Sequence, residues 1–151
     1  MSEELMLSHR FLMSLSLRVS PADKAGHRLI FQIPGGDFEG PRLKGTVQPS
    51  SGDWAQKRDD GSLAIDVRAT LKTEDGAIIY MSYPGRIVCP KDIAALPPDE
   101  IEKVDPSHYY FRSLPVFETG HEKYLWLNKI VAVGVGRFTA TGPFYNIYEI
   151  T

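Results

Sequence analysis

Between residues 62 and 73 the chain alternates without a break, with Leu63, Ile65, Val67, Ala69 and Leu71 on one face and Asp66, Arg68, Thr70 and Lys72 on the other. A period of two sustained over that length fits a strand buried on one side, because a helix would scatter the same apolar residues around its axis. Residues 11–19 repeat the pattern, with Phe11, Met13, Leu15, Leu17 and Val19 set against Ser14, Ser16 and Arg18. Asp60-Gly61 and Asp75-Gly76 bracket the first of these strands with tight turns, so a hairpin returning through residues 77–88 is expected. Pro84-Gly85 within that return predicts a bulge, an edge or an early end.

Further strands are predicted at residues 28–33, 38–45, 54–57, 109–116, 124–138 and 144–150, with Gly142-Pro143 turning the last pair. Pro98 followed by Asp99-Glu100 suits a helical first turn, and one short helix is expected over 98–104. Eight or nine strands on tight connections predict an all-β fold, a single antiparallel β-barrel, since closure removes exposed sheet edges. A two-sheet sandwich is the alternative. No repeat or linker divides residues 1–151, and a chain of this size buries roughly 68–70% of its unfolded surface, enough for one core.

Net charge is −2 and the 17 basic residues are scattered, which argues against a nucleic-acid partner. No apolar run approaches the ~20 residues of a membrane helix, and the N-terminal MSEELMLSHR carries acids where a signal peptide carries positive charge. With one cysteine, Cys89, and no disulfide to form, a cytoplasmic protein away from membranes is expected. His9, His27, His108 and His121 have no paired spacing, so no metal is expected. Gly134-Val135-Gly136 lacks a third glycine and sits in a strand context, unlike a dinucleotide fingerprint. No cofactor is called for.

The segment GGDFEGPRLKGTVQPSSGDWAQKRDDGSLAIDVRATLKTEDGAIIY, residues 35–80, strongly resembles the bacterial and fungal family known as domain of unknown function 3237. The similarity continues through Tyr110-Phe111-Arg112, Phe117-Glu118-Thr119, Trp126-Leu127-Asn128 and Tyr148-Glu149, covering nearly the whole chain. The resemblance implies a small antiparallel barrel. Gln48-Pro49-Ser50-Ser51-Gly52 departs from the family's more glycine-rich turn before Asp53-Trp54, which bears on that loop's geometry.

By periodicity alone, Asp66 and Arg68 read as a solvated surface pair; the resemblance, whose motif includes this Asp-x-Arg, implies side chains in a polar lumen. There the guanidinium would meet a carboxylate, enolate or phenolate oxygen. In Asp53-Trp54, an indole beside a carboxylate would desolvate it and raise its pKa toward acid or base work. The same pair also reads as a turn aspartate beside a core tryptophan. Glu39 and Arg42 in the glycine-rich loop either line a barrel mouth or are ordinary loop surface. Tyr80, Arg112, Trp126 and Asn128, on predicted strands, offer hydrogen bonds and flat walls to a ligand or serve structure alone.

These candidates predict a small-molecule-binding barrel acting as a cofactor-independent isomerase, cyclase or lyase on an aromatic or hydrophobic oxygenated metabolite. Asp53 or Asp66 would move a proton, Arg68 would stabilise negative oxygen, and Trp54, Tyr80 and Trp126 would pack the ligand. A noncatalytic ligand-binding protein and a structural oligomer are the alternatives. Apolar strand faces left uncovered predict a homo-oligomer.

Overall fold

The computed structural model describes residues 3–151; Met1 and Ser2, which open the acidic N-terminal stretch, lie outside the described residues. Its strands are β1 (His9–Arg18), β2 (Asp23–Ala25), β3 (Arg28–Gln32), β4 (Gly35–Glu39), β5 (Lys44–Val47), β6 (Gly52–Lys57), β7 (Leu63–Thr73), β8 (Ile78–Val88), β9 (Tyr110–Ser113), β10 (Val116–Glu118), β11 (Ala132–Thr139) and β12 (Gly142–Ile150). Pairing runs β8-β9-β11-β12-β1-β4-β5-β7 and returns from β7 to β8, an antiparallel ring of eight. The barrel is therefore closed, and β6, β3, β2 and β10 extend it from the edges of β7 and β8.

Twelve strands stand where eight or nine were expected because β2 is additional, the strand expected over 38–45 divides into β4 and β5 around a turn, and the one over 109–116 divides into β9 and β10. Along the chain β3 runs on through Ile33-Pro34 into β4, and β5 through a turn into β6. These are two halves of one bent hairpin whose register slips by one residue at the bend. Residues 48–51 bridge its second arm. There the Thr70 N–H donates to Ser51 Oγ at 3.0 Å, and Gln48 N–H donates to the Thr70 carbonyl at 2.8 Å. The turn thus occupies the stretch of β7 between β5, which reaches Leu71, and β6, which begins at Arg68. Backbone groups that the ladder leaves open are satisfied by the loop itself.

Pro84 does not end β8. It falls between β10, paired to Tyr80–Ser82, and β9, paired from Gly85 onward, so its missing N–H sits where β8 changes partner. The expected strand over 124–138 is corrected in its first half, since Glu122–Lys129 forms a 3-10 helix and β11 starts only at Ala132. Between β8 and β9 the chain makes α1 (Lys91–Ala94), which the sequence did not suggest, and α2 (Pro98–Ile101), shorter than the expected helix.

Inward residues at one end of the barrel, among them Met13, Leu15, Leu71, Ile79, Met81 and Ile147, are 0% exposed. Each contributes roughly 1.5–3 kcal/mol by leaving water. Toward the other end the same strands present Leu17, Val67, Tyr83 and Tyr145, and there the packing opens into a cavity.

Candidate functional site

The cavity has a volume of about 430 Å³, within the range of small-molecule sites. Its walls come from one end of β1, β3, β6, β7, β8, β9, β11 and β12, and its rim from Ser20-Pro21 and the β11–β12 turn. Leu96, Pro98 and Ile101, in and just before α2, cover it. Glu102 ties this cover to the rim by accepting a hydrogen bond from Ala140 N–H at 3.2 Å. Tyr109, just after the covering segment, accepts from Phe138 N–H at 3.0 Å.

One rung of the sheet carries the polar chemistry. Phe31 pairs with Asp53, Asp53 with Val67, and Val67 with Tyr83, so four side chains from β3, β6, β7 and β8 stand side by side facing the cavity. Asp53 Oδ1 accepts the Asp66 backbone N–H at 3.0 Å, which fixes the carboxylate against the sheet. Burial, opposed by that N–H and reinforced by the nearby Asp66 carboxylate, raises the Asp53 pKa from 3.8 to about 6. Among the described lining residues it is the only one whose side chain carries a charge.

Tyr83 and Tyr145 add phenols to the wall, while Ser20, Thr139 and Thr141 add hydroxyls at the rim. The two phenol rings meet edge to face at 5.5 Å. Burial first, then the neighbouring Tyr145 phenol, holds the Tyr83 hydroxyl protonated well above the ordinary tyrosine range, and burial does the same for Tyr145. The two phenols are close enough to affect each other's ionisation, yet no hydrogen bond of proper geometry joins them. The Tyr83 hydroxyl is buried without a protein partner among the described residues. Glycines make room for these rings. A Cβ on Gly136 would stand 2.8 Å from the Phe111 ring, and one on Gly134 would be 3.3 Å from Tyr145 and collide with Ser113 Oγ.

Of the ten residues singled out in the sequence, only Asp53 lines the cavity. The expectation that Asp66 and Arg68 share a lumen is corrected. Alternation puts Ile65 and Val67 inside and this pair outside, 3.8 Å apart with side chains 48% and 52% exposed. Trp54 is outside too, its ring 5.5 Å from the Arg68 guanidinium, so the indole does not form the wall beside Asp53. Tyr80 is an exposed outer residue, and Arg112 lies over the Tyr110 ring at 5.1 Å. Glu39 is exposed and 3.9 Å from Lys44.

Arg42 and Trp126 come together, but away from the cavity. The guanidinium stacks 3.7 Å over the indole and bonds Glu149 at 2.8 Å. Asn128, on the 3-10 helix rather than a strand, clasps the Thr119 backbone, accepting from its N–H at 2.8 Å and donating to its carbonyl at 2.9 Å. Tyr83 and Tyr145 were missed, although each shares inward parity with apolar neighbours, Met81 and Ile147. That parity was the available signal. No group of three or more His, Cys, Asp or Glu side chains converges as a metal site among the described residues, and none of the described helices is long and apolar enough to cross a membrane.

Comparison with known proteins agrees with the architecture. A crystal structure of a conserved protein of unknown function from Rhodopseudomonas palustris superposes with a TM-score of 0.89, at 27% identity, over 99% of this chain and 100% of that one. A β-barrel-like protein from Acinetobacter baumannii, also a crystal structure, gives 0.84 at 31% identity over all of both chains. A UPF0311 protein of Clostridium acetobutylicum is 33% identical across 100% of this chain and 95% of its own length. The family model described as Protein of unknown function (DUF3237) matches residues 5–150, and the chain belongs to that family.

Proposed function

We propose that the barrel binds a hydrophobic, oxygenated small molecule in its covered cavity and that Asp53 transfers a proton to or from it in a cofactor-independent isomerase, cyclase or lyase step. The observation that carries this reading is one charged carboxylate set in the wall of an otherwise largely apolar cavity. A carboxyl group with a pKa of about 6 is present in both protonation states near neutral pH, which is what acid–base exchange needs. Such a group is worth ~10²–10⁴-fold in rate where it is aligned with the reacting atom.

The neutral fluorophore N-phenyl-1-naphthylamine tests the cavity. Its emission is expected to rise with wild-type protein and to stay low with Leu63→Trp, which fills the space from the wall, provided melting shows the variant folded. Equal binding by both would remove the cavity from the reading. Carbon-detected NMR of the Asp53 carboxyl should give a midpoint near 6. An ordinary aspartate midpoint would remove Asp53 from its role. The groups facing this carboxylate are the Asp66 backbone N–H and the Tyr83 and Tyr145 phenols, both of which keep their protons near neutrality.

A further inference from the structure

The cavity's polar groups also restrict which compounds it can take. No lysine, arginine or histidine lines it among the described residues, and its one charged side chain is acidic, so an anion would find no counter-charge there. Tyr83 is 1% exposed and lines the cavity, and its hydroxyl makes no hydrogen bond of good geometry among the described residues. A buried donor without an acceptor is costly, and an oxygen of a bound molecule could accept from it in place of the neighbouring Tyr145 oxygen. Asp53 and Tyr83 flank Val67 two strands apart, roughly 10 Å at the backbone by the usual strand spacing. Their side chains therefore approach one bound molecule from neighbouring positions on the same wall.

Resting on the proposal that this cavity is the functional site, we infer that it takes an uncharged, enolisable ketone of about two fused rings, with Tyr83 donating to the carbonyl oxygen and Asp53 carrying a proton between carbons. In this step the Asp53 carboxylate forms an O–H bond as the α-carbon's C–H bond breaks. The released electron pair becomes the enolate double bond, and charge gathers on the oxygen held by Tyr83, which keeps its proton. The Asp53 carboxylic acid then returns the proton to the α-carbon or to a conjugated γ-carbon. The net change is isomerisation or hydrogen exchange, and no oxidant or cofactor enters the balance. Phe31, Phe111 and Phe138 supply flat apolar contact for the rings.

A matched set of probes tests this: 2-tetralone, 2-aminotetralin, tetralin-2-carboxylate and tetralin. Calorimetry on wild-type protein should rank the ketone first and the carboxylate at least about 10-fold weaker, with Tyr83→Phe weakening the ketone by about 3- to 10-fold and tetralin hardly at all. NMR in deuterated buffer should show α-hydrogen exchange of 2-tetralone accelerated by the protein, rising with pH through about 6. Asp53→Asn, whose amide oxygen can still accept the Asp66 N–H, should cut that exchange by 100-fold or more while the ketone still binds. Tighter binding of the amine, or exchange no faster than in buffer, overturns the ketone assignment and leaves the cavity standing. Failure of all four probes to bind overturns the assignment together with the cavity reading beneath it.

Discussion

The carboxylate of Asp53 would be better solvated almost anywhere else on the chain, and its position has a price in stability. Its pKa is raised in the folded protein, from 3.8 to about 6, so the folded state holds the proton more tightly than the unfolded one. The associated stability is fully present below pH ~4 and is lost as pH rises through ~6, because folding then confines a charge that the unfolded chain leaves in water. The shift corresponds to about 3 kcal/mol. Asp53→Asn should therefore stabilise the protein by about 2–3 kcal/mol at pH 8 and by almost nothing at pH 4, read from urea melts at both. A variant equally stable relative to wild type at the two pH values would contradict the burial argument. Tyr83 behaves alike for a different reason. Removing its unpartnered hydroxyl in Tyr83→Phe should leave the melting temperature unchanged or raise it, with a gain of up to ~1–2 kcal/mol, whereas loss of a satisfied hydrogen bond would lower it.

Elements of this chain meet most closely where side chains are missing. A Cβ on Gly45 of β5 would collide with the Lys72 carbonyl oxygen and stand 2.7 Å from the Thr73 Cα, both backbone atoms of β7. Neither can swing aside, so Gly45→Ala should part the two strands and cost about 2 kcal/mol or more in denaturant melts. The cover over the cavity is held more lightly, with no buried residue in α2 and a side-chain hydrogen bond that Glu102 accepts from the rim. Glu102→Ala should speed both entry and exit of N-phenyl-1-naphthylamine in stopped-flow mixing, by about 2- to 5-fold for the ~0.5–1 kcal/mol of an exposed bond, with the melting temperature nearly unchanged. Strands β7 and β12 were legible because their period of two is also their burial pattern, as it is in β1 from Met13 onward; before that a bulge between Phe11 and Met13 buries Leu12 and leaves Phe11 exposed, against the expected parity. The helix at Glu122–Lys129 was not legible, since Tyr124, Trp126 and Asn128 imitate that period while tertiary contacts, including Tyr124 to Asp75 at 2.9 Å, decide the outcome. The site was legible only at Asp53. A charged residue on a strand signals its face through its neighbours, and for Asp66 and Arg68 the apolar alternation already pointed outward; for Tyr83 and Tyr145 the same alternation pointed inward, while ring size made them resemble plain core.

As a whole the molecule is filled at one end and hollow at the other. Glu149, its side chain 8% exposed, is held at the filled end by Arg10 at 3.0 Å and Arg42 at 2.8 Å, joining β1, β12 and the loop after β4. Truncation in Glu149→Ala strands two guanidinium groups beside each other and removes charge-assisted bonds, so a loss of about 2–3 kcal/mol is expected. Affinity for N-phenyl-1-naphthylamine should stay within about twofold of wild type, because none of these residues touches the cavity. A large affinity change in a folded variant would show that the two ends communicate. The long strands β1, β7, β8 and β12 thus use part of their inward residues to hold the barrel closed and turn the rest toward the cavity. Substitution of Phe31, Leu63 or Phe138 would accordingly reshape the cavity, while Leu15, Leu71 and Ile79 stay under the separate constraint of keeping the chain folded; cavity shape and architecture can then vary independently along the same strand.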